Sequence, residues 1–277
     1  MQLQFPGVTL DLDQPRIMGV LNVTPDSFSD GGNFIDPDAA VTHAVHMVSQ
    51  GADIIDIGGE STRPGSLSVS VNEELDRVIP VIEKLSKLID VPISIDSSKP
   101  EVMRAAIEAG AGMINDVYAL RLSGALDAAA ELDVPVCLMH MLGEPKSMQI
   151  DPLYKDVVGE VKDFLEARAL VAVETGISKQ KILLDPGFGF GKTLAHNLAL
   201  LGSLEQIEST GYPVVVGISR KSMIGELLDV PAGEREAGSV AAAIIAVQQG
   251  ASIVRVHDVR ATHEALQILI AVDNEIA

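Results

Sequence analysis

Short apolar runs alternate with longer amphipathic stretches along the whole chain. The runs are RIMGVLN (16–22), DIIDIGGE (53–60), PISID (92–96), GMIND (112–116), PVCLMH (135–140), KILLD (181–185), PVVVGIS (213–219) and SIVRVHD (252–258). Each is short and nearly continuously apolar, the pattern of a strand buried on both faces. Between them, residues 37–50, 72–88, 100–109, 154–175 and 236–249 carry helical patterning. Gly51, Gly110, Gly176 and Gly250 sit where helix stop signals belong.

Eight β-then-α units within 277 residues predict an α/β fold, a TIM (β/α)8 barrel. It reads as a single domain over 1–277, with a short segment, 1–15, ahead of the first strand. An open doubly wound sheet is the alternative, because periodicity alone does not show closure. The runs also end alike, at Asn22, Glu60, Asp96, Asn115, His140, Asp185, Ser219 and His257. In a closed barrel the carboxyl ends of the strands meet at one mouth, so these polar groups are expected to share one pocket.

Composition narrows the picture. Hydrophobic residues make up 47% of the chain and aromatics 3%, in keeping with a Val, Ile, Leu and Ala core. The 39 acidic and 20 basic residues give a net charge of −19, which argues against nucleic acid or an anionic membrane as partner. An anionic substrate would then need a local positive patch. The N-terminal stretch lacks a basic region followed by an apolar one, and no apolar run approaches a membrane span, so a cytoplasmic location is expected. Cys137, the single cysteine, lies in an apolar run and reads as buried filler.

The candidate chemistry lies after the strands. LNVTPDSFSDGG (21–32) and GGESTRPGS (58–66) have the composition of lid-forming loops. LLDPGFGFGKT (183–193) is neither a P-loop, since Pro186 stands where its first glycine belongs, nor a dinucleotide fingerprint. Its Phe188 and Phe190 either cover a planar ligand or pack beneath the rim. GISRKSMIGELL (217–228) places Arg220 and Lys221 before a short helix, a favoured anion position in barrels. A Schiff-base role for Lys221 stays open on these residues alone. In the last run, period-2 alternation puts Arg255 and His257 on one face as a clamp for phosphate or pyrophosphate. No His, Cys and Asp spacing suggests zinc.

Together with IDSSKPEV (95–102), IND (114–116), SRKSMIG (219–225) and RVHDV (255–259), these segments resemble the dihydropteroate synthase family in content and order. The resemblance implies condensation of 6-hydroxymethyl-7,8-dihydropterin pyrophosphate with para-aminobenzoate, giving 7,8-dihydropteroate and pyrophosphate. It implies pterin contacts at Asp96, Asn115, Asp185 and Lys221, with Arg255 stacked on the ring. Asn22 would hold Mg²⁺, while Arg63, Arg255 and His257 hold the leaving pyrophosphate. Phe28, Thr62, Arg63, Pro64, Phe190, Lys221 and Ser222 would surround the arylamine. Asp96, Asp185, Lys221, Arg255 and His257 would carry a dissociative substitution, and a homodimer is implied, with the apolar stretch 237–247 able to support one.

Ser97 and Tyr118 depart from the Thr and Arg associated with that family. Competing readings are another pterin-binding barrel, such as a methyltetrahydrofolate methyltransferase, a phosphate-binding aldolase or isomerase, and a catalytically silent barrel.

Overall fold

The computed structural model describes residues 1–24, 36–61, 66 and 68–276. Eight parallel strands close into a barrel: β3 (Arg16–Asn22), β4 (Ile54–Gly58), β5 (Ile93–Asp96), β6 (Met113–Asp116), β7 (Val136–Met139), β8 (Ile182–Asp185), β9 (Val214–Val216) and β10 (Ala251–Val256). Ladder pairing runs in that order, and β10 returns to pair with β3. All eight expected runs are strands, and the barrel replaces the open-sheet alternative.

Two earlier strands, β1 (Gln2–Phe5) and β2 (Val8–Asp11), form an antiparallel hairpin. The short segment expected ahead of the first strand thus holds a hairpin of its own. Its Leu3 and Phe5 are buried with Met18, Ile54, Met113, Cys137, Leu183, Val215 and Ile253. These residues come from the amino-terminal halves of the strands, so the hairpin stoppers the bottom of the barrel. Burying each such side chain contributes about 1.5–3 kcal/mol. Cys137 is part of this apolar plug, as expected of filler.

Strand parity explains what lies above. Residues i and i+2 share a face, so each plug residue is followed inward by its second neighbour. Met18 leads to Val20 and Asn22, Ile54 to Asp56, Met113 to Asn115, Leu183 to Asp185, and Ile253 to Arg255 and His257. The barrel interior therefore changes from apolar to charged along its axis. The alternate parity, including Ile55, Ile57, Ile95, Leu138, Leu184 and Val254, packs outward against the helices.

Those helices are α1 (Pro37–Ser49), α2 (Val71–Leu85), α3 (Pro100–Ala109), α4 (Ala125–Leu132), α5 (Val157–Glu174), α6 (Leu194–Gly202), α7 (Glu205–Glu208), α8 (Ser222–Leu228), α9 (Glu236–Gln248) and α10 (Val259–Ile276). Caps hold their starts: the Asp36 carboxylate accepts from the Asp38 N–H, and the Ser70 hydroxyl accepts from the Glu73 N–H. No helix among the described residues is long and apolar enough to cross a membrane.

Candidate active site

The carboxyl-terminal mouth holds a connected set of charged groups. Arg255, on β10, donates from Nε to Asp56 Oδ2 at 2.6 Å and from Nη2 to Asp96 Oδ2 at 2.8 Å. Asn115 donates its amide to the same Asp56 oxygen at 3.1 Å. The other Asp56 oxygen, Oδ1, is buried with no hydrogen-bond partner among the described residues, leaving a strong acceptor facing the interior. Asp56 was missed by the sequence reading. Its signal was a carboxylate within an otherwise apolar run, at the parity that turns inward.

Neighbouring positions complete the ring. A Cβ built on Gly58 would lie 3.7 Å from Asp96 Oδ2 and 3.8 Å from Asn22 Oδ1. One built on Gly217 would lie 3.8 Å from both Asp185 Oδ2 and Arg255 Cδ. Lys221 Nζ stands 4.2 Å from the centroid of the Phe190 ring. His257 Nδ1 is 3.1 Å from the Ser219 hydroxyl. Asn22, Asp96, Asn115, Asp185, Lys221, Arg255 and His257 therefore occupy one end of the barrel.

Burial dominates the electrostatics. It pushes Asp96 up to about 7, opposed by Arg255 and assisted by the Asp56 and Asp116 carboxylates. Burial also raises Asp185, against the Gly187 N–H and the Lys221 and Arg255 cations. It pulls Lys221 down to about 8 together with Arg255, while Asp185 and Asp96 pull it back up. His257 falls to about 4 through burial and the Arg255 and Arg220 cations. His257 is thus neutral at neutral pH and brings a hydrogen-bonding ring to the mouth.

Arg220 and Lys221 part company. Arg220 adopts a left-handed backbone, φ 58°, a strained conformation for a side chain of this kind. Its N–H donates to the Ser239 hydroxyl, its carbonyl accepts from Arg235, and its guanidinium pairs with Asp258 on both oxygens. The turn so held sends Arg220 outward and sets Lys221 against Phe190. The expected basic pair is one inward cation and one outward ion pair.

Other expectations are corrected in the same way. The eight polar strand ends do not all enter one pocket. His140 lies beneath the loop that follows β8, while Glu60 lines the cavity beside Asp96 and is engaged there by Lys99, which also pairs with the buried Glu74. Arg255 bonds both carboxylates through Nε and Nη2, which leaves its remaining N–H groups open to the mouth. Phe188 is fully buried in the core, so of the two loop phenylalanines only Phe190 borders the site. Ser222 opens α8 and is exposed. Tyr118 lines a cavity of about 230 Å³ beside Asp96, and the Ser97 hydroxyl accepts from the Lys99 N–H. Phe28, Thr62, Arg63 and Pro64 lie outside the described residues.

A larger concavity, about 550 Å³, lies at the opposite end of the barrel between the hairpin and α10. Its Arg16 is already bound to Asp53 and to the Asp11 carbonyl, so the reactive groups belong to the mouth.

A family model described as "Pterin binding enzyme" matches residues 18–257. The chain is 54% identical over 271 residues to the dihydropteroate synthase of Escherichia coli strain K12, covering 98% of this chain and 96% of that one. It superposes on Xanthomonas albilineans dihydropteroate synthase with 4-aminobenzoic acid at a TM-score of 0.94, with 55% identity and 98% of each chain covered. The same organism's enzyme in complex with 7,8-dihydropteroate gives a TM-score of 0.90, with 51% identity and 99% of each chain covered.

Proposed function

The chain belongs to the pterin binding enzyme family, among its dihydropteroate synthases, and from that premise we propose that it joins a dihydropterin pyrophosphate to para-aminobenzoate. The products are 7,8-dihydropteroate and pyrophosphate. The observation that carries this reading is the convergence of Asp56, Asp96, Asn115, Asp185, Lys221 and Arg255 at one barrel mouth.

A pterin edge presents an amino group and ring N–H donors, and its ring carbonyl accepts. Asp96, Asn115 and Asp185 supply oxygen acceptors for the donors, and Lys221 supplies a donor for the carbonyl. The unpartnered Asp56 Oδ1 adds an acceptor that would otherwise stay unsatisfied at a cost of about 1–3 kcal/mol. Lys221, lowered to about 8, is mostly protonated at neutral pH and so carries the N–H donors this contact needs.

Departure of pyrophosphate leaves positive charge on the exocyclic methylene of the pterin, conjugated with the ring. Asp96 and Asp185 present negative charge where that cation develops, and Arg255 holds Asp96 in place. His257, Arg63 and the remaining N–H groups of Arg255 receive the leaving group. The arylamine attacks from the side of Phe190, Lys221 and Ser222, and its proton leaves afterwards to solvent.

Asn22 fits a magnesium site by its chemistry. Among the described residues no cluster of three metal-ligating acids, histidines or cysteines exists, so a cation here takes one neutral protein oxygen. Mg²⁺ tolerates such a site because it keeps waters and draws its remaining ligands from phosphates. When bound, it would neutralise charge on the departing pyrophosphate. A homodimer acting in the cytoplasm completes the proposal, supported by Leu227, Leu228 and Ile245 exposed on the packed helices α8 and α9.

The test is incubation with the pterin pyrophosphate, Mg²⁺ and para-aminobenzoate. Equal release of dihydropteroate and pyrophosphate is the expected result. Pyrophosphate release without the coupled product would refute the reading.

A further inference from the structure

Lys192 is a buried amine that the reaction just described does not use. Its residue exposure is 3%, and among the described residues it forms no ion pair, though the Asp185 charge acts on it. Nζ instead reaches three uncharged acceptors: His140 Nδ1 at 2.8 Å, the Gly187 carbonyl at 2.9 Å and the Phe190 carbonyl at 3.1 Å. Nζ is thus ringed by three polar atoms, drawn from the end of β7 and from two points on the loop after β8.

Such an arrangement is a poor way to gain stability. Burial pulls Lys192 down to about 7, with Lys221 assisting and the Asp185 charge opposing, and apolar replacements of buried charges are often neutral or stabilising. What it gains is definition. The loop is pressed against the β7 end so closely that a Cβ on Gly187 would lie 1.9 Å from the His140 carbonyl. A Cβ on Gly191 would lie 2.7 Å from that of Leu142. Gly187 and Gly191 have φ of 69° and 66°, in the left-handed region glycine favours. Buried Phe188, the Asn197 side-chain carbonyl on the Gly189 N–H, the Gln149 amide on the Gly189 carbonyl and the Tyr154 hydroxyl on the Gly191 carbonyl hold other points of the loop. Lys192 adds the side-chain contact on the Gly187 and Phe190 carbonyls.

The two anchored carbonyls differ in what else holds them. Gly187 is also fixed by its own N–H, which donates to Asp185 Oδ1 at 2.7 Å. The Phe190 peptide has the Lys192 contact on its carbonyl and a 3.1 Å bond from its N–H to the Gly187 carbonyl. Burial and the Lys192 charge pull His140 down to about 2, so its ring stays a neutral acceptor.

We propose that Lys192 is a positioning residue whose three hydrogen bonds to His140, Gly187 and Phe190 set the Phe190 ring against Lys221 and so shape the arylamine side of the site. This rests on the assignment of that side to para-aminobenzoate. Pterin contacts, held by strand residues and by the Asp185–Gly187 bond, depend on it less.

Two substitutions test it, Lys192→Met, which keeps the length and apolar stem, and Lys192→Gln, which keeps N–H donors. Expected for Lys192→Met is a rise of about 10-fold in KM for para-aminobenzoate with the KM for pterin pyrophosphate within about 2-fold, and partial recovery in Lys192→Gln. Unchanged KM for the arylamine, whatever happens to Tm, overturns the proposal. So does an equal rise in both KM values.

A second readout needs no turnover. The chain has no tryptophan, so Phe190→Trp carries a unique fluorophore. Acrylamide quenching of that tryptophan should rise at least about 2-fold when Lys192→Met is added, as expected where order is lost locally. Identical quenching in both backgrounds refutes the anchor. Wild-type protein without turnover would refute the proposed reaction, and the quenching experiment would still decide the role of Lys192.

Discussion

Replacing Arg255 by methionine removes the cation bonded to both Asp56 and Asp96. At an effective dielectric of about 20 and a charge separation of about 4 Å, each pair is worth roughly 4 kcal/mol before desolvation. The Asp56 side chain is 0% exposed and that of Asp96 11%, so water screens neither well. Breaking a buried pair by deleting one partner typically destabilises by about 3–5 kcal/mol, because a charge is left stranded. The loss has a definite pH dependence. Burial already raises Asp96, and Arg255 is the strongest influence holding it down. Without Arg255 the carboxyl keeps its proton to higher pH. The folded variant then buries a neutral acid at low pH and an anion at high pH. Its destabilisation relative to wild type therefore grows as pH rises through the neutral range.

Urea unfolding followed by far-UV circular dichroism reads this directly, since the chain lacks tryptophan. The expected loss is about 3–5 kcal/mol near pH 8 and about 1–2 kcal/mol near pH 5, with Asp56→Asn recovering roughly half of it at the higher pH. A loss that is the same at both pH values, or below about 1 kcal/mol near pH 8, would refute the reasoning.

Asp96→Ala and Lys221→Ala should each lower kcat by about two to three orders of magnitude, the effect of removing a preorganised charge worth about 3–4 kcal/mol. Near-normal turnover in either folded variant removes that residue from the chemistry. The kcat/KM for pterin pyrophosphate should be bell-shaped, rising through about 7 as Asp96 ionises and falling past about 8 as Lys221 loses its proton. Lys221→Arg should abolish the alkaline limb, and an unchanged limb would assign it to another group. Chelation with EDTA should suppress turnover and added Mg²⁺ restore it, while Asn22→Ala should raise the Mg²⁺ concentration needed for half-maximal activity by about 10-fold or more. An Mg²⁺ requirement identical to wild type would exclude Asn22 as a ligand.

Much of the molecule could be read from neighbours in the chain. Eight short apolar runs, each ending in a polar residue and followed by helical patterning, specify the barrel and its mouth. Local periodicity reports directly whether a strand is buried on both faces. Asn22, Asp96, Asn115, Asp185 and His257 were legible because they stand at the ends of those runs. Lys221 and Phe190 were legible because their loops are distinctive.

The remaining facts depend on which side chains meet across the closed sheet, and closure is a property of the whole ladder. Asp56 looks like an interruption within its strand until parity and barrel closure bring it to Arg255, 199 residues away. The same contacts tie Arg255 to two carboxylates through Nε and Nη2. Lys192 reads as part of a failed phosphate motif, and only the fold of its loop over β7 turns it inward to His140. Leu3 and Phe5 look like an unpatterned lead-in until the barrel offers an open bottom to fill. Sequence determined the elements and most of the reacting groups, because those are set by near neighbours. Tertiary structure decided their pairings and charge states, because burial and distance to partners far along the chain set both.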